Sequence, residues 1–140
     1  IAEGLYTLSE EALTCRYMDV ARVLVSMGED EEALWNLEEA LNTLLRGGAY
    51  DKAAEVSLEM ATILHRVGML EDAERLYKST ISLSPGSQAS SRAYLGLARV
   101  LAELGRVGEL RSLLEEALSA DLDEKDRREL EVLWRRHVGP

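Results

Sequence analysis

The chain has 140 residues, of which 26 are acidic and 16 are Lys or Arg, and its formal net charge is −10 at pH 7. Its length suits a single domain or one segment of a longer solenoid, and few prolines with abundant Ala, Leu and Glu favour helix throughout. Affinity for nucleic acid comes from basic side chains that neutralise phosphates, and a bilayer span needs roughly 20 apolar residues. Neither nucleic acid nor a membrane is therefore an expected partner.

The ends and the single cysteine add little about location. The chain starts at Ile1 without a signal-peptide pattern, which predicts an excised or processed piece of a larger, soluble and cytoplasmic protein. Cys15 is the only cysteine, so an intrachain disulfide is excluded. We interpret it as a half-buried structural thiol.

Seven helices are predicted, each closed by a glycine-type break. Polar residues able to cap helix N-termini stand at four starts: a capping box at Thr7–Glu10, single caps at Asp51 and Ser87, and a capping box at Asp121–Glu124. The predicted helices cover about 8–27, 30–46, 52–67, 70–83, 88–104, 107–120 and 122–137. Loops of two to five residues predict that consecutive helices pack antiparallel.

One spaced pattern occurs three times along these helices. It reads Ala21-Leu24-Gly28-Ala33, Ala61-Leu64-Gly68-Ala73 and Ala98-Leu101-Gly105-Leu110. Small residues suit close backbone approach, leucines fill the core, and glycine suits a left-handed turn. Leu110 replaces the alanine of the other copies, which predicts that its two helices lie slightly further apart.

This pattern resembles the tetratricopeptide repeat over about residues 14–124, with copies 40 and 37 residues apart instead of the usual 34 or so. The resemblance implies an all-α fold, a right-handed α-α superhelix (solenoid) of antiparallel helical hairpins with about seven helices. The predicted parts of this single domain are an N-terminal helix segment at 1–13, repeats at 14–50, 51–87 and 88–124, and a C-terminal capping helix at 125–140. Repeats of this length also resemble those of peptide-sensing and ATP-dependent signalling regulators.

The repeat phase has an alternative. The stretch from Gly48 to Ala53 also resembles the turn inside a repeat, and in that phase the inner and outer surfaces would exchange. Pro85 and the three matching copies favour the first phase. At the C-terminus, Leu130, Leu133, Trp134 and His137 form one stripe that predicts a packed cap.

The resemblance implies that the first helix of each repeat lines a concave groove that takes a peptide or a partner's helix. The predicted groove residues are Arg22, Thr62, His65, Arg66, Arg92 and Arg99. Arginine forks suit carboxylates, so a partner with an acidic segment is one hypothesis. The alternative is that these charges are solvated or paired within the groove by Asp19, Glu59 and Glu103. The asparagines of the family's C-terminal carboxylate clamp are absent, so that clamp is not predicted.

Trp35 is a second candidate contact, on the outer side of a second helix. It lies among the acids of Glu29–Glu32, Glu38 and Glu39, which favour a helix start over a dedicated patch for a basic partner. An exposed tryptophan is typical of a contact centre. The alternative, that it packs on the preceding helix, is equally open.

No pattern of catalytic or metal-binding chemistry is present. His65 and His137 are far apart, no cluster has metal-ligand spacing, and every glycine is expected at a helix end. The sequence therefore predicts no enzyme, cofactor or metal, but a protein–protein interaction scaffold that binds a partner through the groove. The alternative is a ligand- or peptide-sensing domain of a larger signalling or transcription regulator. The N-terminal helix, with Leu5, Leu8, Ala12 and Leu13, is either a cap or half of a truncated repeat, and in the second case it is a candidate homodimer surface.

Overall fold

The computed structural model describes the backbone of residues 2–139 and the side chains of residues 10–139. Seven α-helices and no strand form in that part of the chain, so the all-α prediction is confirmed. In chain order the helices are α1 (Ala2–Ser26), α2 (Asp30–Arg46), α3 (Tyr50–Arg66), α4 (Leu70–Leu83), α5 (Gln88–Glu103), α6 (Val107–Leu118) and α7 (Glu124–His137).

The helix starts differ from the prediction at three of four capping sites. The capping box at Thr7–Glu10 is wrong as a start, because α1 already begins at Ala2 and runs through it. Asp51 does not cap α3; its carboxylate accepts a hydrogen bond from the Ser84 hydroxyl at 2.7 Å instead. Helix α7 is capped by Asp123, two residues after the predicted Asp121. Ser87 does cap α5, by accepting from the Ser90 amide at 3.1 Å.

The glycines of the repeated pattern form the predicted turns. Gly28, Gly68 and Gly105 have φ angles of 79°, 89° and 74°, a region that residues with a Cβ rarely occupy. Gly48, between α2 and α3, adopts the same conformation with a φ of 72°. Because the turns before and after α2 have the same glycine conformation, the sequence alone did not show which of them lies inside a repeat.

The helices stack in two layers. Helix α3 contacts α5, and α5 contacts α7, in addition to the packing of each helix on its neighbours in sequence. Within residues 2–139 no comparable contact joins α2 to α4 or α4 to α6. Helices α3, α5 and α7 therefore form one layer, which α1 extends through the Glu11–Lys52 ion pair and a cleft that it shares with α3. We call the surface of this layer away from α2, α4 and α6 the inner face. The layering favours the first of the two repeat phases; the repeat boundaries themselves stay a prediction.

The repeated small and apolar residues build the core as expected. The small residues that the pattern singled out are all fully buried: Ala21, Ala33, Ala61, Ala73 and Ala98, as are Ala40 and Ala117. Leu37 and Leu114 fill the space between these alanines. Leu110 is also fully buried, and α5 and α6 make fewer close approaches than the helices of the other two hairpins, as its larger side chain predicted.

The core is divided into two clusters that share α3. One cluster takes Val56, Met60 and Ile63 from α3 and packs them against α1 and α2. The other takes Ala61 and Leu64 from the same helix and packs them against α4 to α7. Adjacent faces of α3 thus contribute to the two clusters.

Three residues of the predicted C-terminal stripe pack on the core. Leu130 and Leu133 are buried, and the half-buried Trp134 packs against the second core cluster. His137 is half-buried in the last turn of α7. The stripe therefore fixes α7 on the core, and its role as a cap stays a prediction.

The expectation that all glycines mark helix ends is wrong for Gly96. Gly96 lies in the middle of α5 and faces the ring of Tyr77 on α4. A Cβ at Gly96 would overlap this ring and lie 2.8 Å from its hydroxyl oxygen. Gly96 therefore permits close packing of α5 on α4, a role that the sequence did not reveal.

Candidate functional site

The six predicted groove residues all lie on the inner face. Four of them line a cleft of about 410 Å³ between α3, α5 and α7, which we call the basic cleft: Thr62, His65, Arg92 and Arg99. Arg22 and Arg66 line a neighbouring cleft of about 310 Å³ between α1 and α3, and Thr62 borders both. The structure thus places these side chains along one surface; their role in binding stays a prediction.

His65 is held by neighbouring side chains. Its Nε2 is 3.0 Å from a Glu103 carboxylate oxygen, and its Nδ1 is 3.3 Å from the Tyr77 hydroxyl. The two rings meet edge to face at 6.1 Å between centroids, and burial raises the pKa of Tyr77. His65 therefore stabilises the wall of the basic cleft and has little freedom to turn toward a partner.

Three of the predicted arginines are paired with acids. The pairs are Arg22 with Asp19 at 3.2 Å, Arg66 with Asp30 at 2.6 Å and Arg99 with Glu129 at 2.6 Å. These three arginines thus follow the alternative hypothesis that the groove charges are paired by nearby acids. Asp19 was among the predicted partners, whereas Asp30 and Glu129 were not. Both come from helices other than that of the arginine they bind.

Two cations of the basic cleft have no such partner. Arg92 on α5 and Lys125 on α7 are both exposed, and neither has an acid within 4.0 Å among residues 10–139. The sequence analysis missed Lys125 because it treated α7 only as a cap. Had the repeat pattern been extended one helix further, α7 would have been recognised as another member of the inner layer.

The position of Lys125 is fixed by a polar contact beside it. Asp126 is buried, and one of its carboxylate oxygens accepts a hydrogen bond from the Ser91 hydroxyl at 2.9 Å. The Ser91 oxygen in turn accepts from the Asp123 amide at 3.1 Å. This network joins the start of α7 to α5 and so holds Lys125 beside Arg92.

A partly buried ion pair joins α4 to the turn between α5 and α6. Arg106, in the turn between α5 and α6, donates two hydrogen bonds to Glu74 on α4, at 2.6 and 2.9 Å. The Arg106 guanidinium holds the pKa of Glu74 below its usual range. This pair lies outside the inner face and we assign it a structural role.

Trp35 both packs on the preceding helix and remains largely exposed, so neither of its two predicted alternatives is excluded. Its ring packs edge to face on Tyr17 of α1, with 6.2 Å between the ring centroids. Even so, 56% of the residue is exposed. It lies on α2, away from the inner face, so it belongs to a different surface from the arginines.

The part of the chain that the structure describes contains neither a cluster of metal-ligand side chains nor a membrane-spanning helix. No group of three His, Cys, Asp or Glu residues within it is arranged to hold a metal ion. None of the helices in that part has both the length and the apolarity to cross a bilayer.

Comparison with known proteins identifies the repeat. Residues 93–128, which run from α5 through α6 into α7, match the family model of the tetratricopeptide repeat. A search of curated proteins found no match. The one matched repeat and the seven described helices stacked in two layers fit a tetratricopeptide-like helical repeat protein.

Proposed function

We propose that this protein is a non-catalytic interaction module whose inner face binds a partner peptide or helix that carries an acidic segment. Tetratricopeptide repeats act in general as protein–protein interaction motifs and are typically non-catalytic. The site within the module, and the acidic character of the partner, are the parts that we propose.

The observation that carries this proposal is the pair of unmatched cations in the basic cleft. Arg92 and Lys125 come from two adjacent helices of the inner layer and border the same cleft. Arg99 lies beside them but is already paired with Glu129. A carboxylate-bearing partner would bind Arg92 and Lys125 without breaking an existing ion pair, and a guanidinium suits a carboxylate through two parallel hydrogen bonds.

Selection of peptides from a random library on the purified chain tests the proposal. We expect the selected peptides to be enriched in Asp and Glu. The double variant Arg92→Glu, Lys125→Glu should then bind them at least tenfold more weakly, because like charges would face each other across the cleft. Isothermal titration calorimetry at two salt concentrations measures the loss and its ionic component.

The matched control changes the charge equally on the other layer. Arg75→Glu with Arg111→Glu replaces two exposed arginines of α4 and α6, each paired only with an acid on its own helix. This control should bind as the unmodified chain does. Equal losses in both variants, or selected peptides without acidic residues, would rule out the basic cleft as the site.

A sensing role within a larger regulator is the alternative class. It is favoured by the size of a further cleft on the inner face, about 670 Å³ between α1 and α3, which is large enough for a small ligand or a side chain. The remainder of the reading frame distinguishes the two classes. An adjoining ATPase, kinase or DNA-binding module would favour the sensor.

Self-association through α1 is a separate proposal. Val23 is 57% exposed, whereas Ile63 and Val100, at the same repeat position of α3 and α5, are 5% and 0% exposed because the preceding helix covers them. Leu13, Val20 and Met27 continue this exposed surface; Leu5 and Leu8 lie outside the described side chains. Light scattering should give the mass of a dimer for the unmodified chain and of a monomer for Val23→Lys. The control Val132→Lys, on the exposed side of α7, should remain a dimer.

A further inference from the structure

A cleft of about 670 Å³ opens where the inner layer separates. Helices α3, α5 and α7 contact each other in order, but α1 does not approach α3 in the same way. The resulting cleft is bordered by α1, the last turn of α2, the following turn and the first two turns of α3. We call it the α1–α3 cleft.

The floor of the α1–α3 cleft is apolar, formed by Met18 with Leu44 and Ala49. Its polar rim is acidic: the acids are Glu10, Glu11, Asp19, Asp51 and Glu55, and the bases are Arg22 and Lys52. Both bases are already paired, Arg22 with Asp19 at 3.2 Å and Lys52 with Glu11 at 3.7 Å.

Two features add to the negative potential that these acids produce. Three acids of the rim, Glu10, Asp51 and Glu55, have no cation within ion-pair distance in the described part of the chain. The C-terminal turn of α2, with Thr43 and Leu44, also borders the cleft. The C-terminus of a helix carries a partial negative charge and favours cations.

A buried hydroxyl without a partner lies in the same wall. Thr14 on α1 is 4% exposed, and its hydroxyl oxygen has no hydrogen-bond partner among the described residues. It also borders the α1–α3 cleft. A threonine within a helix normally bonds a carbonyl of the preceding turn, and buried polar groups are rarely left unpaired. A ligand donor in this cleft would supply the missing partner.

We propose that the α1–α3 cleft binds an aliphatic chain that ends in an ammonium group, which in a protein partner is a lysine side chain. The aliphatic stem would cover the floor at Met18 and Leu44, and the ammonium would face Glu10, Glu55 and the Thr14 hydroxyl. This site is independent of the basic cleft, lies at the other end of the inner face and selects the opposite charge.

The chain contains its own probe for this cleft. Cys15 is the only cysteine of the sequence and borders the cleft; it is exposed, so the prediction of a half-buried thiol was wrong. The rate at which neutral N-ethylmaleimide modifies it reports occupancy. The probes are n-hexylammonium, n-hexanol and n-hexanoate, which share a six-carbon tail and differ in charge. Each protection is expressed relative to the rate without probe in the same variant, so that changes in thiol reactivity cancel.

We expect half-protection by hexylammonium at a concentration about fivefold lower than by hexanol, with hexanoate weakest, since one charge interacts with the rim. Glu10→Gln with Glu55→Gln should remove this fivefold advantage, so that hexylammonium and hexanol reach half-protection at about the same concentration. Glu31→Gln with Glu32→Gln, two exposed acids of α2 outside the cleft, is the matched control and should leave it intact.

A second variant tests the hydroxyl. Thr14→Val has nearly the same shape but no hydroxyl oxygen, and it should weaken protection by hexylammonium about twofold to threefold. Unchanged protection in Thr14→Val, equal protection by all three probes, or no protection by any of them would overturn the proposal. Arg92→Glu with Lys125→Glu should leave Cys15 protection unchanged, so failure of the basic cleft and failure of this site are distinguishable.

Discussion

The close approach of Gly96 to Tyr77 gives the sharpest test of the packing. In Gly96→Ala the new Cβ would overlap a ring that is almost fully buried. Overpacking a core costs about 3 kcal/mol at the upper end of its usual range. Alanine is favoured over glycine inside a helix by about 1 kcal/mol. We therefore expect the free energy of unfolding to fall by about 2 kcal/mol.

A second substitution should reverse the sign of this effect. In a Tyr77→Leu background the ring is absent, so Gly96→Ala loses the overlap and keeps the helix preference. It should then stabilise the protein by up to about 1 kcal/mol, which corresponds to a coupling free energy of about 3 kcal/mol between the two positions. Urea denaturation followed by circular dichroism measures all four proteins of the cycle.

Gly108 supplies the control. It also lies within a helix, but a Cβ there would meet no atom within 4 Å. Gly108→Ala should therefore stabilise the protein by up to about 1 kcal/mol whichever residue is present at position 77. If Gly96→Ala stabilised the unmodified protein as Gly108→Ala does, the reasoning about the Tyr77 ring would be refuted.

Two further substitutions test polar contacts. Glu74→Gln should lower the free energy of unfolding by about 2 kcal/mol at neutral pH, because a charged hydrogen bond to Arg106 is lost. The folded pKa of Glu74 lies below its unfolded value of about 4.3, so its stabilisation is complete above that pH and disappears as the pH falls through the folded pKa. Denaturation at neutral and acid pH should show a smaller acid loss in Glu74→Gln, and an equal loss would contradict this assignment. Ser91→Ala should cost about 2 kcal/mol, because buried Asp126 and the Asp123 amide both lose their partner; an unchanged urea midpoint would show that the network adds no stability.

The architecture was predictable because it depends on local and periodic signals. Gly28, Gly68 and Gly105 marked the turns, and the alanines spaced from them marked the close contacts. The ends of helices were less accurate, because a polar residue near a start has other possible partners, as Asp51 shows with Ser84.

The details of the site depended on residues distant in sequence. Arg66 is paired with Asp30, 36 positions earlier, and Arg99 with Glu129, 30 positions later. Such pairs follow from how the helices stack and from side-chain rotamers, which no sequence period contains. The same reason hid the contact of Gly96 with Tyr77 and the place of Lys125 in the basic cleft.

The division of the core at α3 has a consequence for how the molecule would respond to a partner. Since α3 supplies fully buried residues to both clusters, it is the main link between the first two helices and the last four, supplemented by the partly buried Leu34 and Leu76. A partner that spanned the inner face from α1 to α7 would add a further connection between them. Binding would then make the two halves unfold more cooperatively, and the gain would be largest for α1, which packs closely against α2 alone among the described helices.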